Sequence, residues 1–117
     1  MAGSRYDGRR SGRGPGPRWG FAIVRGASMR PTLDPGDRLL VRYGVAPEPG
    51  RIVVARFADG TTAVKRAAER REGGWWLLSD NADEGVDSRH RGVVPDDDVT
   101  AVVLLRAWPR PRLFRGV

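Results

Sequence analysis

The sequence predicts a mainly β domain with little helix. Three observations carry this: short apolar runs rich in Val, Ile and Leu, Pro-Gly, Asp-Gly and Gly-Gly signals between them at all-β spacing, and no long amphipathic helical period. An open barrel or a pair of coiled sheets is the architecture that buries such strands. At 117 residues the chain fits one small domain with one core.

In chain order, residues 1–18 are rich in Gly, Arg, Ser and Pro and nearly free of aliphatic side chains. Such a segment cannot offset the entropy of ordering, so it reads as a disordered Arg/Gly-rich arm. Residues 19–108 read as a single folded domain and 109–117 as a basic tail. Strands are expected over 21–25, 38–43, 52–57, 61–67, 75–79 and 99–107. Turn chemistry separates most of them, at Asp34-Pro35-Gly36-Asp37, Pro47-Glu48-Pro49-Gly50, Asp59-Gly60 and Gly73-Gly74. Asp59-Gly60 predicts a two-residue hairpin. Trp75 and Trp76, adjacent on one strand, face opposite sides, so one is expected in the core.

The net charge of +7 would suit nucleic acid, an acidic membrane surface or an acidic partner. It is concentrated at the ends, with Arg5, Arg9, Arg10, Arg13 and Arg18 against Asp7, and Arg106, Arg110, Arg112 and Arg115 in the last stretch. Between them the charges nearly balance. That distribution argues against a basic reading face for nucleic acid. No cysteine is present, which excludes disulfides, thiolate nucleophiles and cysteine-ligated metals. The longest apolar run, residues 101–105, is far short of the roughly 20 residues that cross a bilayer. The first residues also lack the apolar core of a secretory signal. The expectation is a soluble, cytoplasmic protein.

All but one of the 21 basic residues are arginine. The exception is Lys65. Arginine stays charged, whereas a desolvated lysine can lose its proton and act as a base. Holding a lysine of ordinary pKa about 10.4 neutral at pH 7 costs roughly 4–5 kcal/mol, and burial can supply a shift of about 3–5 units. Upstream, Ser28 sits in a constrained turn after an apolar strand, and a serine hydroxyl needs a neighbouring base to become a nucleophile. His90, the only histidine, lies between Arg89 and Arg91 in a polar stretch and reads as a solvent-exposed residue. Lys65 is therefore the candidate base.

Five segments appear in order: Gly26-Ala27-Ser28-Met29-Arg30-Pro31-Thr32-Leu33, Gly36-Asp37-Arg38-Leu39-Leu40-Val41, Gly50-Arg51-Ile52-Val53-Val54, Val64-Lys65-Arg66, and Ser79-Asp80-Asn81 with Asp87-Ser88-Arg89 and Gly92. Together they resemble the boxes of signal peptidase I and span about residues 22–105. The resemblance implies the coiled β-sheet fold of signal peptidases and repressor cleavage domains, and a Ser–Lys dyad endopeptidase without cofactor or metal. Ser28 would attack the scissile carbonyl and Lys65 would act as base and then acid. The Ser28 amide would help bind the oxyanion, with Gly26, Ala27, Met29 and Pro31 shaping the site. Gly26 stands where some relatives carry a serine that supplies the second donor, so a backbone amide or water would have to serve. Gly85 stands where relatives carry a serine that orients the lysine, leaving Ser88, another hydroxyl, water or packing for that role. Asp87 and Arg89 would form a structural ion pair, and Asp80 and Asn81 would organise the loop backbone.

The acidic stretch Asp80, Asp83, Glu84 and Asp87 fails the spacing of a calcium loop, and Asp96-Asp97-Asp98 reads as a solvated turn. Short length, Arg-Gly-Pro-rich composition and the Gly-Ala-Ser-Met-Arg-Pro-Thr-Leu run together resemble the short actinobacterial nickel-type superoxide dismutase maturation proteases. That resemblance implies a protein substrate whose N-terminal propeptide is removed. Three alternatives stand beside it: a signal peptidase-like protease acting at the membrane with a partner, a self-cleaving repressor, and a non-catalytic basic β-module that binds RNA. Residues 1–27 are too short and polar for the DNA-binding domain the repressor would need.

Overall fold

A computed structural model describes residues 18–114. The expected arm at residues 1–17 and the end of the expected tail at 115–117 lie outside the described residues. The strands are β1 (Arg18–Ile23), β2 (Arg38–Tyr43), β3 (Ile52–Arg56), β4 (Thr62–Arg71), β5 (Gly74–Leu78), β6 (Val94–Pro95), β7 (Val99–Trp108) and β8 (Arg112–Leu113). A short helix, α1 (Ser88–Arg91), precedes β6, and a single 3-10 turn at Asp96–Asp98 precedes β7. The strands form one antiparallel sheet in the order β1-β2-β7-β3-β4-β5-β6, with β8 beside β7, curled into a half-barrel.

Why the sheet curls follows from its residues. The run Ile52-Val53-Val54-Ala55 is buried throughout, so β3 is covered on both faces. Alternation sends Ile52 and Val54 into one core with Val24, Met29, Leu33, Leu39, Val41, Val64 and Val103. Val53 and Ala55 enter a second core with Phe57, Ala67, Trp75, Leu77, Val94 and Val102. Register breaks in β2–β7, β3–β7 and β4–β5 add local twist. The break between Ala67 and Glu69 matters most for function. β4 pairs with β3 over residues 62–66 and with β5 over 66–71. Among the described residues, positions 62–65 therefore keep one backbone edge unpaired.

Several expectations are corrected. The Asp59-Gly60 hairpin has a three-residue loop: the Phe57 amide donates to Thr61 O and the Gly60 amide to Phe57 O, each at 2.8 Å. Gly60 at φ 91° supplies the left-handed residue of that loop. The first strand begins at Arg18, inside the expected arm, and β8 lies inside the expected tail. Trp75 is the buried member of its pair, while Trp76 is half-buried, with the Arg71 guanidinium 4.0 Å above its ring.

Candidate active site

The turn that carries Ser28 is built by the chain leaving β1. The Val24 amide donates to Asp37 O at 2.9 Å and the Gly36 amide to Val24 O at 2.8 Å, tying the two ends of the excursion together. Asp37, buried, accepts from the Asp34 amide at 2.8 Å and from Arg106 Nη1 at 3.3 Å. Met29 and Leu33 fill the space beneath. Gly26 takes φ 74°, which a side chain would strain. The peptide between Arg30 and Pro31 is cis, and Pro31 is exposed on the outer side of this turn.

This frame holds Ser28 half-buried at the mouth of a cleft of about 280 Å³. Val24, Gly26, Ala27 and Met29 line one side, and Phe57, Ala63, Val64 and Lys65 the other, with Glu84, Gly85 and Val86 beside them. Arg91 Nη2 donates to Asp59 Oδ2 at 2.9 Å between two lining residues. Among the described residues, no protein acceptor takes the Ser28 amide proton.

Lys65 reaches Ser28 from the floor. Its Nζ lies 3.1 Å from Ser28 Oγ and 3.0 Å from Ser79 Oγ. The residue is only 3% exposed, and burial pushes its pKa below the ordinary 10.5; Asp87 opposes that shift and Arg89 adds to it. Ser79 was absent from the sequence-derived site. Its signal is positional: the antiparallel pair Arg66–Leu78, continued by one residue, sets Ser79 opposite Lys65.

Gly85 lies where its environment admits no side chain. It has φ 78°, and a Cβ there would stand 2.9 Å from Ser28 Cβ and 3.2 Å from Lys65 Nζ. Ser88, one hydroxyl considered for orienting the lysine, is engaged elsewhere: its Oγ accepts from the Leu77 amide at 2.9 Å. Ser79 stands in its place.

Two networks brace this centre from behind. The Asn81 amide donates to Ser28 O at 2.8 Å and Asn81 Nδ2 to Ala27 O at 3.2 Å, while the Asp80 amide points at Met29 Sδ at 3.5 Å. Asp80 itself accepts from Arg66 Nη2 and from Thr32 Oγ1, each at 2.6 Å. In the second network the fully buried Asp87 accepts from the Ser79 amide at 2.9 Å, the Arg89 amide at 3.0 Å and Arg89 Nη2 at 2.9 Å. Burial alone would raise the Asp87 pKa, but the Arg89 side chain and the two amides outweigh it and hold it at about 2. Asp87 thus fixes the backbone of Ser79 on one side and caps α1 on the other. His90, exposed on α1, completes the cap: the Asp87 amide donates to its Nδ1 at 3.4 Å.

The family match of the chain that forms this curled sheet and cleft supports a peptidase of the serine class. More closely, the chain belongs to the Peptidase S24-like family, whose model matches residues 15–100. This family lies in the repressor and signal peptidase-like superfamily to which the sequence segments pointed. No curated protein matches the chain. Among the described residues, no helix is long and apolar enough to cross a membrane.

Proposed function

We propose that the protein is an endopeptidase that uses Ser28 as nucleophile and Lys65 as general base. The carrying observation is the 3.1 Å separation between Ser28 Oγ and the Nζ of a lysine that burial keeps below its ordinary pKa. With the amine neutral, the Ser28 hydroxyl donates to Nζ and loses its proton as Oγ attacks the scissile carbonyl. The Ser28 amide faces the oxyanion, and a second donor comes from a neighbouring amide or water; losing such a donor typically costs about 2.7–4 kcal/mol of barrier lowering. The ammonium then passes its proton to the leaving amine, and the acyl group stays on Ser28 Oγ. Water, deprotonated by the regenerated amine, releases the new carboxylate.

The unpaired edge of β4 at residues 62–65 suits an extended peptide lying along the cleft, since backbone groups there can add one more strand. Gly85 keeps the space above the dyad open to a scissile bond. In this reading Ser79 positions Lys65, Asp80 and Asn81 hold the nucleophile turn, and Asp87 with Arg89 holds Ser79. The substrate favoured by the sequence resemblance is a nickel-type superoxide dismutase precursor, cut to free its mature N-terminus.

The test is incubation of that precursor with wild type, Ser28→Ala and Lys65→Arg, followed by mass spectrometry of the product's N-terminus. Wild type alone should cut, at one bond, because arginine keeps the charge but cannot become a neutral base. Cutting by either variant at the wild-type rate would overturn the mechanism. If wild type leaves this precursor intact but cuts a generic signal-peptide substrate, the substrate assignment fails and the mechanism stands.

A further inference from the structure

A second pocket lies behind the catalytic strand. Successive side chains of a strand alternate faces, so Arg66 points away from the cleft that Lys65 enters. There it joins Arg51, Arg112 and Thr32 around a pocket of about 220 Å³, closed on one side by Leu113 and Phe114 at β8. The charge on its walls is unbalanced. Arg66 is satisfied, with Nε and Nη2 on Asp80 and Nη1 on Gly50 O. Arg51 is not: its Nη2 reaches only Val103 O at 3.4 Å, and its Nε is buried with no partner. The Arg112 guanidinium packs 5.1 Å from the centre of the Phe114 ring, an arrangement that leaves its N–H edge free. Among the described residues, neither Arg51 nor Arg112 meets a carboxylate. Three guanidinium groups thus face one carboxylate, Asp80.

We infer that this pocket binds a phosphate-class oxyanion. The free Arg112 fork, facing an Arg51 guanidinium held only by one long bond to Val103 O, suits an oxyanion, which arginine takes through charge-assisted hydrogen bonds. A dianion would also balance the excess charge on the pocket walls. The inference is independent of the catalytic reading, because neither Ser28 nor Lys65 lines this pocket.

Isothermal titration calorimetry at constant ionic strength, with inorganic phosphate as titrant, tests it. Wild type and Ser28→Ala should bind one phosphate with equal affinity. The Arg51→Gln/Arg112→Gln double variant should bind at least about tenfold more weakly, the loss expected for charge-assisted bonds. Arg112→Gln alone, at an exposed position, should lose several-fold without disturbing the fold. Arg56→Gln, exposed on β3 outside the pocket, should change nothing, and acetate should bind at least about tenfold more weakly than phosphate. Absence of saturable binding, equal loss in Arg56→Gln, loss in Ser28→Ala, or acetate binding as tightly as phosphate would each overturn the assignment.

Discussion

At the scale of single residues, the centre rests on what surrounds one amine. Lys65 meets two hydroxyls, and they have different tasks in the proposed mechanism: Ser28 gives up a proton, and Ser79 holds Nζ in line to receive it. Replacing Ser79 by Ala should therefore lower kcat about tenfold, the value of roughly one hydrogen bond, while KM stays within about twofold. Steady-state kinetics on a peptide substrate checks this; a rise in KM with kcat unchanged would show that Ser79 contacts substrate instead. Ser28 and Lys65 were recognisable as candidates in the sequence because a serine in a constrained turn and a solitary lysine each stand out, and the structure sets their side chains 3.1 Å apart. Ser79 was not, although it opened one of the recognised segments. Its reach to Lys65 depends on the β4–β5 register, which a bulge between Ala67 and Glu69 resets. No sequence period reports such a shift.

At the scale of elements, the four-residue helix α1 shows how a small unit can hold a site. It is too short to leave a periodic signal, and the sequence reading assigned the stretch to a polar loop. What creates it is Asp87, whose side chain accepts from the Arg89 amide while the Asp87 amide donates to His90. The same carboxylate holds the Ser79 amide and the Arg89 guanidinium. Asp87→Ala should cost on the order of 2–3 kcal/mol, from one cap and charge-assisted bonds of which Arg89 can recover part in water. Chemical denaturation at pH 7 measures it. The sign of the pH effect follows from the lowered pKa: the Asp87 contribution is complete above its ordinary value of 3.8 and disappears as pH falls through about 2. The wild-type advantage over Asp87→Ala should shrink across that acid window; an advantage independent of pH would contradict the charged role. Longer elements were read well where apolar content was dense, as in β2, and less well at ends. β1 starts early because Arg18 and Trp19 pair with Tyr43 and Arg42, a tertiary preference that their own sequence does not announce.

At the scale of the whole molecule, the mainly β class was legible because turn residues punctuate the chain and continuous apolar runs demand cover on both faces. A coiled or barrel-like sheet was legible too, whereas the register breaks over three strand pairs that shape its curl were not. That curl brings the turn after β1 against β4, thirty-seven positions along the chain from Ser28 to Lys65. The central claim is that the fold keeps this lysine able to be neutral near Ser28. Because the chain contains one lysine, its side chain can be followed alone after lysine-specific isotope labelling. An NMR titration of the Lys65 side chain in the folded protein, set beside the pH dependence of kcat/KM, is the most direct measurement. The midpoint should lie below the ordinary 10.5, with activity rising through that same midpoint as the amine loses its proton. A Lys65 that titrates at 10.5 or above in the folded protein would contradict it.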